Sequence, residues 1–266
     1  MSDNEIFATL RAPRRVWAVA SIHGDADRLT ALHGQLAQRF QAGDRLVYLG
    51  NYLGRGSTIG ATIAELLEFR RMVLAAPGAY ACDIAYLRGA QEEMWQKLLQ
   101  LQFAPNPREV LDWMLKQGVG ATLASYGGRI EHGQSAAREG ARAITRWTGE
   151  LRAAMHATPG HTQLMSALRR AAYTADGNLL FVHAGIDTER PLTAQSDSFW
   201  WASAGFQRID KPYGNFKMVV RGFDPAHAGL TQSAYATSLD AGCGFGGALI
   251  AACLDLDGRV VERLEA

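Results

Sequence analysis

Before residue 90 the chain makes the same move three times: a short apolar run ends in a loop built around glycine. Val16-Trp17-Ala18-Val19-Ala20 leads into Ser21-Ile22-His23-Gly24-Asp25. Leu46-Val47-Tyr48-Leu49 leads into the segment from Gly50 to Gly56, and Ile84-Ala85-Tyr86-Leu87 leads into Arg88-Gly89-Ala90-Gln91-Glu92. A run that is apolar at every position, not at every second one, suits a strand buried on both faces. Amphipathic stretches follow the first two loops. Leu29, Leu32, Leu36 and Phe40 predict a helix from about 27 to 40, and a second is expected from about 58 to 74. Strand, loop and helix in this order predict an α/β domain whose functional loops lie at the carboxyl ends of the strands.

The middle of the chain, from about 91 to 172, reads as a helical insertion punctuated at Asn106-Pro107 and Pro159-Gly160. Strands are expected again at Leu179–Val182, Phe216–Val220, Tyr235–Leu239, Ala248–Leu254 and Arg259–Leu264. A hairpin turn is expected at Asp255–Gly258. Neither a linker nor a repeat divides the sequence, so a single domain over 1–266 is predicted.

With 27 basic and 26 acidic residues the formal charge is +1. That balance argues against a nucleic-acid-binding or membrane-surface protein. The amino terminus has the pattern of no secretory signal, and no apolar run is long enough to cross a bilayer. Cys82, Cys243 and Cys253 form no CxxC pair, so a zinc knuckle is not expected. They read as buried, reduced thiols, consistent with a cytoplasmic protein.

Three further glycine-bearing segments complete the pattern: Phe181-Val182-His183-Ala184-Gly185, Val220-Arg221-Gly222-Phe223-Asp224-Pro225, and Leu239-Asp240-Ala241-Gly242 running on to Gly246-Gly247. Six loops in this order resemble the signature of calcineurin-like metallophosphoesterases of the bacterial serine/threonine phosphatase type, DxHG, GDxxDRG, GNHE, HAG, GHTP and DTG. The resemblance covers Val16 to Leu254. It implies a four-layer α/β/β/α sandwich of two mixed β-sheets flanked by helices. It also implies two divalent metals, such as Mn, Fe or Zn, that polarise a phosphoryl group and supply a hydroxide.

On this resemblance the six metal-ligand positions are Ser21, His23, Asn51, Ala90, His183 and Phe223, of which only His23 and His183 keep the family residue. Both carboxylates are missing, and hard cations want charged oxygen donors. Gln91 stands where the family has its histidine acid, and Gly54 where it has the aspartate that orients that acid. No metal cofactor and no catalytic residue are therefore expected. The residue types instead suggest an anion site made from His23, Arg55, Arg88, His183 and Arg221, since guanidinium forks suit phosphate oxygens. The bland alternative pairs the arginines with Glu92, Glu93 or Asp224.

Three functions compete. The first is a pseudophosphatase that recognises a phosphorylated protein or a small phosphate-bearing ligand. The second is a remodelled phosphoesterase with His23 or His183 as base or nucleophile. The third is a structural assembly protein. His33, His132, His156, His161 and His227 have no ligand spacing and read as surface or satisfied histidines. Phe199-Trp200-Trp201 reads as core packing or a pocket wall.

Overall fold

In the computed structural model, which describes residues 6–266, the apolar runs become the centres of two sheets. The first contains β1 (Phe7–Leu10), β5 (Ala171–Thr174), β6 (Leu179–Val182), β7 (Met218–Arg221), β8 (Thr231–Gln232) and β9 (Ala236–Ser238), in the order β1-β5-β6-β7-β9-β8. The second contains β2 (Arg15–Val19), β3 (Asp44–Tyr48), β4 (Ile84–Tyr86), β10 (Ile250–Leu254) and β11 (Val260–Glu265), in the order β11-β10-β2-β3-β4. Both sheets are mixed. β2, β3 and β4 run parallel, whereas β10 runs antiparallel to β2 and to β11.

The side-chain alternation of β6 shows why its whole run is apolar. Leu179 and Phe181 join the core between the sheets, while Leu180 and Val182 join a second cluster on the outer face with Phe199, Trp200, Phe206 and Ile209. Burial of both faces at roughly 1.5–3 kcal/mol per large aliphatic side chain is what holds such a strand. Of the residues expected as core packing or a pocket wall, Phe199 and Trp200 are thus core, and Trp201 is 41% exposed.

Helices α1 (Ala26–Ala37) and α2 (Ile59–Leu74) follow β2 and β3. Asp25 caps α1 by accepting the Arg28 amide at 3.1 Å, a favoured arrangement for the orphan donors of a first turn. Residues 90–167 form α3 (Ala90–Leu98), α4 (Pro107–Lys116), α5 (Val119–Ser125), α6 (Ile130–Glu139), α7 (Ala141–Ala157) and α8 (His161–Ala167). The outer face of the first sheet is covered by a short α9 (Ser198–Trp201) and two 3-10 turns. No described helix is long and apolar enough to cross a membrane.

The expected strands and the hairpin form. Asp255 donates its amide to Arg259 and Gly258 takes φ +85°. β1, β5 and β8 were not expected. β5 lies just after the helical stretch, and its opening residues Ala171 and Ala172 fall inside the range read as helix. One expectation about the cysteines is corrected: Cys243 and Cys253 are buried, but Cys82 is exposed, because it lies in a 3-10 turn ahead of the edge strand β4.

Candidate functional site

The loops that leave β2, β3, β4, β6, β7 and β9 converge at one end of the sheets. Backbone hydrogen bonds join the first two: the Asn51 carbonyl accepts the His23 amide at 2.6 Å, and the His23 carbonyl accepts the Gly56 amide at 2.6 Å. Thr58 fastens the same pair, donating its hydroxyl to the Gly24 carbonyl at 2.7 Å and accepting the Ala26 amide at 3.0 Å. His23, Asn51 and His227 all take positive φ, at 56°, 55° and 48°. Asn and His tolerate this region better than most residues, and such backbones tend to cluster at functional sites.

Glu92 holds the second loop to the third. Its carboxylate accepts the amides of Asn51 at 2.9 Å, Leu53 at 2.9 Å and Gly89 at 2.8 Å. Burial pushes this carboxyl up from its ordinary value, and the three amides oppose that shift. A side chain at Gly89 would run into the Asn51 amide and the Glu92 carboxylate, so only glycine fits there. Asp240 does similar work across the site. It accepts the amides of Asp224 and Gly242 and pairs with His227 Nδ1, each at 2.9 Å.

The positions singled out by the sequence divide into those that meet and those that do not. Ser21, His23, Asn51 and His183 are fully buried on the converging loops. Asn51 Oδ1 accepts the Gln91 amide at 2.9 Å, which turns its Nδ2 toward His23 Nε2 at 3.2 Å. His23 Nε2 is thereby an acceptor, and its proton sits on Nδ1. His183 Nδ1 donates to the Leu49 carbonyl at 2.7 Å, leaving Nε2 with a free lone pair. Ser21 Oγ, His23 Nδ1, His183 Nε2 and Gln91 Oε1 are buried with no hydrogen-bond partner among the described residues.

Phe223 fills the space between the histidines. Its ring stacks on His183 at 5.5 Å with planes 9° apart and meets His23 edge-on at 5.9 Å. Phe245 closes the opposite side, edge-on to His23 at 5.2 Å and 4.2 Å from His227. Burial above all, and then the neighbouring His183, Arg55 and His227, lowers the His23 pKa to about 3. Burial lowers that of His183 to about 4, against the pull of the Leu49 carbonyl. Both imidazoles are neutral at physiological pH.

The expected five-membered anion site therefore contracts. Arg221 is buried and pairs with Asp224 at 2.6 Å, and it also donates to Ser238 Oγ and the Ser203 carbonyl. Arg88 turns toward α3, pairing with Glu93 at 3.2 Å and with Gln96. Two of the three acids named as alternative partners are thus the ones used. Arg55 alone of the five remains at the mouth as a cation without a carboxylate partner among the described residues. Its guanidinium lies 4.3 Å from the centre of the Phe245 ring.

A two-metal centre does not fit these residues. His23 Nε2 is taken by Asn51, Ala90 has no donor, and Phe223 occupies the middle. Among the described residues no three His, Cys, Asp or Glu side chains gather at metal-binding range. Gly54 takes φ +118°, and a Cβ there would lie 2.9 Å from the Gln91 side chain and 3.0 Å from His23 Nδ1, so an aspartate would have to displace those side chains and adopt a strained backbone angle. Gln91 itself donates from Nε2 to the Gln117 carbonyl at 2.8 Å, which draws its side chain toward α4.

His227 and Phe245 were not expected at the site. The sequence predicts a surface or satisfied histidine at 227, and its bond to Asp240 does satisfy it, while its ring also meets Phe223 and Phe245. The available signal was its place four residues beyond Phe223, within the loop that approaches Asp240.

No protein-family model matches this sequence, and no curated protein matches it. Solved structures do. A candidate diadenosine tetraphosphatase is 18% identical, with 97% of this chain and 98% of that one covered and a TM-score of 0.56. The cold-active protein-tyrosine phosphatase of a psychrophilic Shewanella is 13% identical over 100% and 84%, with a TM-score of 0.54. A Saccharomyces cerevisiae serine/threonine phosphatase is 11% identical over 98% and 82%, with a TM-score of 0.52. The chain has the metallophosphoesterase fold, that of the calcineurin-like phosphatases, as the order of its loops implied.

Proposed function

We propose that this chain is a pseudophosphatase: a non-catalytic binding or regulatory protein on a phosphoesterase scaffold, acting in the cytoplasm on a phosphorylated protein or a small phosphate-bearing ligand. The observation that carries this reading is Phe223, stacked on His183 and edge-on to His23, where the resemblance places metals. Two neutral imidazoles, an amide and a phenyl ring offer no charged oxygen to a hard cation. Arg55 at the rim is the group that would meet a phosphate.

One observation favours the alternative of a remodelled phosphoesterase. His183 Nε2 keeps an unpartnered lone pair, the form a general base or nucleophile needs. Both readings meet in one experiment. The protein is purified without chelators, its metal content is measured, and hydrolysis of p-nitrophenyl phosphate and a phosphopeptide is followed with and without Mn²⁺. The pseudophosphatase reading expects no stoichiometric metal and no turnover above a His23→Ala, His183→Ala control. Metal-dependent turnover would overturn it. Metal-independent turnover lost on changing His183 alone would establish the alternative.

A further inference from the structure

A cavity of about 660 Å³ lies away from the converging loops. It opens on the flank where β1, at the edge of one sheet, approaches β4, at the edge of the other, beneath α2 and α8. None of the residues discussed at the candidate site lines it. Its volume is within the roughly 300–1,000 Å³ of small-molecule sites.

Its lining combines two kinds of surface. Phe7, Leu67, Ile84 and Leu164 are among its apolar lining residues, and Arg11, Arg70 and Arg169 are its three arginines, Arg169 also donating from Nη1 to the Ala167 and Leu168 carbonyls at 3.0 and 3.3 Å. Among the described residues no aspartate or glutamate lines the cavity. None of the three arginines has a carboxylate partner among the described residues. Asp83, next in sequence to the lining residue Cys82, is turned away to Arg45 at 3.2 Å.

The backbone under these cations is fixed. The Arg169 amide donates to the Tyr86 carbonyl at 2.8 Å, and its own carbonyl accepts the Arg88 amide at 2.7 Å. The Arg11 carbonyl accepts two bonds from the Arg45 guanidinium, at 3.1 and 2.7 Å. Arg70 projects from α2. Three like charges around one partly apolar hollow repel one another, and an anion relieves that cost. Planar guanidinium groups favour phosphate and carboxylate oxygens, and the apolar wall favours a carbon body.

We propose that this cavity binds a small organic anion, a phosphate or carboxylate carried on an apolar body, independently of the phosphoesterase-like site. Cys82 supplies the assay. It is an exposed thiol in the lining, whereas Cys243 and Cys253 are buried, with burial pushing each thiol up to about 12. N-ethylmaleimide, a neutral reagent, should therefore modify Cys82 first. Its labelling rate is measured in the full-length protein against phenyl phosphate, benzoate and inorganic phosphate.

The expected result is saturable protection by phenyl phosphate or benzoate at millimolar concentration and weaker protection by inorganic phosphate. The order of the first two tells which headgroup is preferred. In an Arg70→Gln, Arg169→Gln double variant with unchanged circular dichroism, the concentration needed should rise at least about tenfold, the usual effect of losing a charge-assisted contact. Absence of protection by all three compounds would overturn the proposal, as would protection indifferent to the arginines. It would equally fail if Asp3→Asn, Glu5→Gln created protection that the unaltered chain lacks, for then the cations serve the chain's own amino terminus.

Discussion

Glu92 and Asp240, on one side, and the face formed by Ser21, Asn51 and Phe223, on the other, belong to the same cluster of loops. The two acids and the two polar residues are buried to the same degree. Yet the first pair carries carboxylates and the second face carries none. The difference follows from what each group answers to. Glu92 and Asp240 accept backbone amides, donors that the fold itself presents, so their desolvation is offset with no ion present. Carboxylates at 21 and 51 would find few such donors and would repel each other unless a cation lay between them. The molecule keeps the acids that hold loops and has neutral groups where acids would need a metal.

The comparison breaks most visibly if Glu92 is removed. Glu92→Ala leaves three buried amides without an acceptor and should cost about 3–6 kcal/mol in urea or guanidinium unfolding. A loss under about 1 kcal/mol would mean that the second and third loops are held by something else.

Acid should act next. His23 and His183 have folded pKa values of about 3 and 4, below the ordinary value of 6.5. Between these limits the unfolded chain binds more protons than the folded one, so stability falls as pH drops below about 6.5. By pH 4.5 each histidine should have withdrawn roughly 2–3 kcal/mol. Denaturant titrations at the two pH values, repeated in His183→Gln, should show the slope reduced in the variant. An unchanged slope would show that His183 is charged in the folded protein or does not titrate in this range.

Restoring acids sharpens the contrast further. Ser21→Asp with Asn51→Asp should destabilise the metal-free protein by about 2–3 kcal/mol, and Mn²⁺ should recover that loss only when Phe223→His is added. A rise in melting temperature of the unaltered protein with Mn²⁺ would contradict the aromatic filling of the site. The smallest effect belongs to Arg55→Ala. It should change stability by no more than about 1 kcal/mol, the scale of an exposed cation–aromatic contact. Any binding of a phosphopeptide at the site, read by fluorescence polarisation, should be lost.

Much of the fold was legible in the sequence because it is written in strong local signals. β2, β3 and β6 each contain an unbroken apolar run, and the glycine loops after them have few alternative uses. β1 and β5 were hidden because Phe7-Ala8-Thr9-Leu10 and Ala171-Ala172-Tyr173-Thr174 carry little such pattern. They become strands by pairing with each other in parallel, a long-range event. At the site, residue types gave the missing ligands but not the fate of the arginines. Arg88 and Arg221 read as anion donors, and only the structure shows Glu93 and Asp224 already beside them. The neutral state of His23 and His183 was equally out of reach, since it is a property of depth and not of spacing.

The order of strands in the second sheet bears on how the chain is made. β2 sits at its centre, with β3 on one side and β10 on the other. During synthesis β3 is available almost at once, but the other edge of β2 has no partner until residues 250–254 leave the ribosome and align Ala251 with Val19. From the emergence of β2 until β10 is made an apolar strand therefore presents an open edge, the kind of surface on which nascent chains aggregate.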